Sequence, residues 1–281
     1  MKKALLLFTY ALLFMLLGRN LSFIPTMSFL NKENNAAQIK ESVDKFLREN
    51  QGKYSLYYKD LKTGQVLGVN EHVQMTGASL NKLVIVAYLY EQAGKGKLNL
   101  EDRIAVQKKD IQDYGTGSIR YAGEGKSYSL RTLAELSLKQ SDNTAAHLLE
   151  IRLGEDAVQA FAQKIGLSAT SMKNNKTTAR DMAQILELIW EDKITTQALS
   201  REMLDYMKDT FFEDRLARFI PGAVVFHKTG DAVNMVHDVG IVLQDSDPFI
   251  LSILSYDVSD EQKTKENIGK IAKIIYDERD Q

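Results

Sequence analysis

"TGASLNKLVIVAYLY" (residues 76–90) is the stretch on which the fold turns. Ahead of it the chain alternates as strands, and after it the chain reads as helices, so a sheet gives way here to a helical lobe. It sets Ser79 and Lys82 in the first turn of a helix whose apolar and aromatic run continues to Tyr90. A lysine is costly to bury, so its place ahead of that run needs a reason. Two are available: Lys82 is a solvated helix residue, or it stands ready to take the Ser79 proton. The Ser-x-x-Lys spacing cannot choose between them, because it arises by chance about once in a chain of this length. Ser42-Val43-Asp44-Lys45 is a second copy.

Working outward, "AQIKESVDKFLREN" (37–50) is an amphipathic helix with Ile39, Val43, Phe46 and Leu47 on one face, which leaves Ser42 and Lys45 on a solvated surface. "KYSLYYKDLKTGQVLGVN" (53–70) reads as two strands about a Lys62-Thr63-Gly64 turn. Residues 101–130 are loop-rich, with Gly115, Gly117, Gly123 and Gly125. Leu130–Leu153 is helical apart from "KQSDNT" (139–144), whose polar cluster caps a helix over Thr144–Leu153. Helical patterns follow at Asp156–Ile165, Arg180–Asp192 and Ser200–Phe212. "AVVFHKTG" (223–230), "DVGIVLQD" (238–245) and "PFILSILSYDV" (248–258) then read as strands, and "DEQKTKENIGKIAKIIYDE" (260–278) as a last amphipathic helix.

This order implies an α/β (α+β) fold: a five-stranded antiparallel sheet flanked by the N- and C-terminal helices, with an all-helical lobe inserted. The expected catalytic domain is 38–281, with 38–75 and 215–281 forming the sheet lobe and 76–214 the helical lobe. A small-molecule site belongs in the cleft between them.

The 281 residues are 44% hydrophobic and 26% charged, an ordinary globular composition. With 36 basic and 37 acidic side chains the net charge is −1, which gives no reason to expect nucleic acid as a partner. The absence of cysteine excludes disulfides, thiol catalysis and cysteine-bound zinc. No pair among the four histidines has H-E-x-x-H spacing, so neither a metal nor another cofactor is expected. The start, "MKKALLLFTYALLFMLLGRN" (1–20), joins two lysines to an apolar run from Ala4 to Leu17, and "LSFIPTMSFL" (21–30) continues it. Residues 1–30 read as an export signal or membrane anchor without an A-x-A cleavage site, and 31–37 as a polar linker. The expected protein is an exported monomer, secreted or held at the extracellular face of the cell membrane.

Two further triplets stand on the elements that chemistry needs. Ser141-Asp142-Asn143 lies in the helical lobe and Lys228-Thr229-Gly230 on a strand of the sheet. A given tripeptide such as Ser-Asp-Asn occurs in roughly one chain in thirty of this size, so the ordered set is far more specific than its members. The earlier Lys62-Thr63-Gly64 is an exposed turn. Together with Ser79-x-x-Lys82, these motifs make the chain similar to the penicillin-recognising serine enzymes, in their class A β-lactamase branch. The resemblance runs over roughly residues 38–276, and "TLAELSLKQSDNTAAHLLEIRLG" (132–154), "TTARDMAQIL" (177–186) and "HKTGDAVNMVHDVGIVL" (227–243) carry it in that branch's order.

The residues also fit a chemistry. A serine hydroxyl is a poor nucleophile until a base removes its proton. Lys82, one turn on and on the same face as Ser79, becomes such a base if burial and a second cation depress its pKa. Ser141 can relay a proton to the leaving nitrogen, and Lys228 can hold a substrate carboxylate. The resemblance further implies that Asn143 binds the substrate's side-chain amide and that Thr229 and Gly230 align it along a strand edge. It also implies an oxyanion hole from the backbone N–H groups of Ser79 and Asp231. The Asp231 side chain is unusual there and is expected to repel anionic substrates. The implied substrate is a β-lactam or a peptide ending in D-alanyl-D-alanine.

Other patterns carry less. "GEGKS" (123–127) imitates a phosphate loop, but Arg120 stands where its first glycine belongs. His227 alternates away from Lys228 and reads as a packed core residue, and His237 and Asp238 as structural hydrogen-bonding groups. One departure from the resemblance matters. Class A enzymes carry a glutamate after the helical lobe that activates the deacylating water, whereas "LSATSMKNNK" (167–176) contains no acid. The nearest acids named by the pattern, Asp156 and Asp181, fall in flanking helices. Three readings follow: a β-lactamase-like serine hydrolase with slow deacylation, a D-alanyl-D-alanine carboxypeptidase or transpeptidase, and a penicillin-binding sensor or wall-binding module that is acylated without turnover.

Overall fold

Helix α1 (Thr26–Glu49) leads into a hairpin, β1 (Lys53–Asp60) and β2 (Val66–Val69), whose turn is held by one carboxylate. Asp60 Oδ1 accepts the backbone N–H groups of Lys62 (2.9 Å) and Thr63 (2.7 Å), and Gly64 supplies a φ of 76° that its lack of a Cβ permits. A short strand β3 (Met75–Thr76) and a 3-10 turn (Ala78–Asn81) precede α2 (Lys82–Gly94). A ribbon of β4 (Arg103–Ala105) and β5 (Ser127–Ser129) brackets the one-turn helix α3 (Ile119–Ala122). Helices α4 (Leu130–Lys139), α5 (Asn143–Leu153) and α6 (Glu155–Lys164) follow, then β6 (Lys176–Thr177), α7 (Ala179–Trp190) and α8 (Gln197–Tyr206). The chain ends in β7 (Val224–Ala232), β8 (Met235–Gln244), β9 (Asp247–Tyr256) and α9 (Glu261–Glu278). The computed structural model describes residues 26–50 and 52–279.

The sheet has the order β2-β1-β9-β8-β7, and every pairing is antiparallel. Alternation along β1 assigns its two faces. Tyr54, Leu56 and Tyr58 join a core with Ile39 and Val43 of α1 and Ile268, Ile271 and Ile275 of α9. Tyr57 faces the other way, into a larger core shared with Leu80, Leu83 and Val84 beside Ser79 and with Met182, Ile185 and Leu186 of α7. The first and last helices thus cover one face, and the helical segment from α2 to α8 lies against the other. Strand β7 is an edge strand, and the 3-10 turn packs against it.

Three details depart from the sequence expectations. Residues 31–37 lie inside α1 rather than in a linker; Glu33, Ala36, Ala37 and Gln38 have the propensity to carry the helix through their asparagine neighbours. Ser79 lies in the 3-10 turn, and the α-helix proper begins at Lys82. Helix α8 stops at Tyr206 instead of Phe212, because Asp209 takes a φ of 49° that no α-helix accommodates, and residues 207–223 form an irregular segment over β7. The export-signal reading covers residues 1–30; 1–25 lie outside the described residues, and 26–30 belong to α1. Among the described residues no helix is long and apolar enough to cross a membrane.

Candidate active site

The turn that carries Ser79 is built by close backbone approach. Leu80 N–H donates to the Gly77 carbonyl (3.0 Å), and Ala78 sits at a φ of 49°, a left-handed conformation that costs roughly 1 kcal/mol or more for a residue with a side chain. On the sheet side Gly230 faces the same turn. A Cβ there would lie 3.0 Å from the Gly77 carbonyl oxygen and from Leu80 Cγ, so glycine lets β7 approach Ser79. The second motif is a turn as well. Ser141 has a φ of 54°, and Asp142 caps α5, its Oδ1 accepting Ala145 N–H and its Oδ2 accepting Ile119 N–H, both at 2.9 Å. A Cβ on Gly117 would lie 2.2 Å from Asp142 Cγ, so that loop can reach the cap only with glycine.

These elements enclose a cleft of about 450 Å³. Ser79, Lys82, Ser141, Asn143, Thr229 and Asp231 all line it. Lys228 lies just behind, 1% exposed, with Nζ donating to Ser141 Oγ (2.9 Å) and to the Thr229 carbonyl (2.7 Å). Gly230 packs the strand rather than lining the cleft. The Ser42-Lys45 copy sits on α1 and the Lys62-Thr63-Gly64 copy at the hairpin tip; neither reaches the cleft.

Lys82 is 7% exposed, and its Nζ donates to the Ser141 carbonyl, to Ser141 Oγ (3.2 Å) and to Asn143 Oδ1 (2.7 Å). Burial pulls its pKa down to about 7, and the Asp142 carboxylate opposes the fall. Lys228 is held well below the ordinary lysine range, first by burial and then by Lys82, against the pull of Asp238. Ser141 Oγ therefore bridges two amines that disfavour carrying charge together, which is the arrangement of a proton relay. No hydrogen bond joins Ser79 Oγ to Lys82 Nζ; the Lys82 amine is held by Ser141 and Asn143 instead.

The other histidine and acid positions separate clearly. His237 donates from Nε2 to the Thr76 carbonyl (2.9 Å) and accepts Ser255 N–H at Nδ1 (3.1 Å), so it is a neutral structural link. His227 does face away from the cleft, but it is more than a packed ring. Its Nδ1 meets Asp238 Oδ1 (2.9 Å) and its Nε2 meets Glu213 Oε1 (3.1 Å). Burial alone would lower its pKa, yet Asp238 and then Glu213 outweigh it and raise the value to about 9. Asp181 accepts Thr170 Oγ1–H (2.8 Å) and Ala169 N–H (3.0 Å), holding the acid-free loop and not the cleft.

Three cleft features lay outside the sequence expectations. Arg215, with no exposed side-chain surface, forks onto Asp231: Nη1 donates to Oδ1 (2.7 Å) and Nη2 to Oδ2 (2.6 Å). The pairing offsets part of the Asp231 charge but leaves its half-exposed carboxylate facing the cleft. Asn81, between Ser79 and Lys82, donates to Asn175 Oδ1 (3.0 Å) and ties the loop to the turn that carries Ser79. Glu150 also lines the cleft, so an acid nearer than Asp156 and Asp181 exists; burial and then Glu155 push its carboxyl upward. It stands two turns beyond Asn143 on α5, about 10 Å further along the helix axis. The spacing Asn143, Ala146, His147, Glu150 was the available signal, one helix face.

Comparison with known proteins agrees with this geometry. Residues 37–279 match the beta-lactamase enzyme family. The chain is 26% identical over 236 residues to the extended-spectrum beta-lactamase PER-1 of Pseudomonas aeruginosa, spanning 74% of this chain and 76% of that protein. It is 26% identical over 266 residues to a beta-lactamase of Bacillus licheniformis, spanning 87% and 85%. The solved structure of PBP-A superimposes with a TM-score of 0.79 at 25% identity, over 87% of this chain and 95% of that one. Fold, motif geometry and sequence match converge on one conclusion: the chain belongs to the beta-lactamase enzyme family.

Proposed function

We propose that the protein is a serine hydrolase that opens β-lactams through an acyl-enzyme at Ser79 and releases the acyl group slowly. The observation that carries this reading is the asymmetry of the cleft: a relay of Lys82, Ser141 and Lys228 on one side of Ser79 and an acid-free loop on the other. Neutral Lys82 takes the Ser79 proton as Oγ attacks the lactam carbonyl. Ser141 passes a proton to the leaving nitrogen, with Lys82 and Lys228 as its two neighbours. Lys228 and Thr229 hold the substrate carboxylate, Asn143 meets the side-chain amide, and the N–H groups of Ser79 and Asp231 receive the developing oxyanion.

Hydrolysis of the ester needs a base within reach of a water. The loop offers Met172 and Asn175 to the cleft, and neither ionises. An acyl-enzyme complex with penicillin G is described for a mutant of PBP-A, which supports adduct formation on this scaffold. The same parts serve a D-alanyl-D-alanine carboxypeptidase or transpeptidase, and the acid-free loop favours that second reading over rapid antibiotic hydrolysis. The Lys2-Lys3 charge and the Ala4–Leu17 run support export, which cell fractionation tests.

Intact-mass spectrometry with a penicillin decides the main reading. The expected result is one adduct, absent from Ser79→Ala, retained by Ser42→Ala, and persisting for minutes. Labelling of the Ser79→Ala protein would remove the nucleophile assignment. Rapid steady turnover without an accumulated adduct would remove slow deacylation.

A further inference from the structure

We propose that Asp231 is a specificity-determining residue that turns the strand end of the cleft toward substrates carrying an amine or amide donor and away from those carrying a second anionic group. This rests on acylation at Ser79, proposed above. Asp231 follows Lys228-Thr229-Gly230 on the edge strand, and its side chain is half exposed into the cleft while Arg215 behind it has no exposed surface. The ion pair is therefore oriented, with the anion outward and the cation inward.

The guanidinium has no exposed surface to offer a ligand. Four of its five N–H groups are spent: Nη1 on Asp231 and the His237 carbonyl (2.8 Å), Nη2 on Asp231, and Nε on Asp214 Oδ1 (3.1 Å). A planar guanidinium fork is the geometry that grips a carboxylate with two parallel bonds. Here the protein's own carboxylate occupies it. Each Asp231 oxygen accepts one Arg215 N–H, and an ionised carboxylate retains further lone pairs. Those lone pairs meet the cleft, where only a donor is welcome. The two buried lysines of the cleft, Lys82 and Lys228, are already bonded to Ser141, Asn143 and Thr229. One substrate carboxylate is served; a second is not.

Ampicillin and carbenicillin make a matched pair, because the same side-chain carbon bears an ammonium in one and a carboxylate in the other. The measurement is the second-order rate constant of acylation for each, at low and high salt. Wild type is expected to prefer ampicillin by roughly tenfold at low salt, less at high salt. Asp231→Asn, which keeps the shape and frees the Arg215 fork, is expected to bring the ratio to about one or reverse it. If Asp231→Asn does not fold, the paired variant Asp231→Leu with Arg215→Met removes both charges and is expected to level the ratio. A role confined to stability would lower the melting temperature and leave the ratio alone. An unchanged ratio in either folded variant, or no preference in wild type, overturns the proposal. Absence of any adduct on wild type with both probes would instead fell the Ser79 reading beneath it.

Discussion

The two walls flanking Ser79 are made of different materials. The strand wall carries Lys228 and Asp231, with Arg215 paired to Asp231 and, behind the strand, His227 held between Asp238 and Glu213; Arg215, His227 and Asp238 are fully buried. The loop wall meets the turn that carries Ser79 through neutral contacts, Gly77 N–H to the Asn175 carbonyl (2.9 Å) and Asn81 to Asn175, while Asp181 clamps its far end. One wall brings ionisable side chains to the cleft; the loop presents Met172 and Asn175, which do not ionise. Fixed charge is concentrated on the strand side of Ser79, whereas the loop side presents Met172 and Asn175 and the acid Glu150 stands further along α5.

The largest way to break this comparison is at Lys82. Lys82→Ala is expected to slow acylation by roughly 10²–10⁴-fold. In wild type the acylation rate should climb as pH rises through about 7, since the neutral amine is the base. A flat profile in stopped-flow acylation would place the base elsewhere.

Next comes the strand wall itself. Arg215→Met strips the cation from Asp231 and from the neighbourhood of buried Asp238, and is expected to cost about 3 kcal/mol in urea unfolding. A loss within experimental error would mean that the network is not cohesive. The His227 effect is comparable in origin and depends on pH. Its folded pKa of about 9 lies above the ordinary 6.5, so the stabilisation is complete below pH 6.5 and disappears as pH rises through 9. The change is on the order of 3 kcal/mol at most. His227→Gln should flatten that decline, and an unaltered pH slope would show that another group causes it.

The smallest effect belongs to the neutral wall. Asn81→Leu removes the tether to Asn175, but it also removes a buried Oδ1 that has no hydrogen-bond partner among the described residues. The net cost should stay below about 1 kcal/mol. Faster amide exchange at Asn175–Thr177 is the expected signature, and protection equal to wild type would mean that the backbone contacts alone hold the loop.

Much of this was legible in the chain, for reasons that differ by residue. The period-2 run Tyr54, Leu56, Tyr58 marks a strand whatever lies around it, and the Ser-Asp-Asn cluster announces a helix cap because Asp142 has the right oxygen at the right offset. Alternation also placed His227 on the face opposite to the cleft. Its charged state was not legible, since Asp238 arrives through the β7–β8 register and Glu213 through an irregular segment. Arg215 was hidden for the same reason: "FEDRLARFI" (212–220) reads as solvated, and only the path of residues 207–223 brings it beneath Asp231. Glu150 carried a helical signal, but a polar residue on a helix face ordinarily reads as solvent-facing.

The sheet is closed by the two ends of the chain, with Lys53 paired to Tyr256 and α1 packed on α9. This has a consequence for synthesis. The helical lobe is contiguous and can gather as it leaves the ribosome, whereas β1, with its buried tyrosines and leucine, has only β2 for company until β9 emerges. An unpaired, apolar strand edge persists through most of translation. Strand β7 reaches β1 only through β8 and β9, so a transcript stopped after Gly230 would encode every motif yet leave the Lys228-Thr229-Gly230 strand outside the sheet.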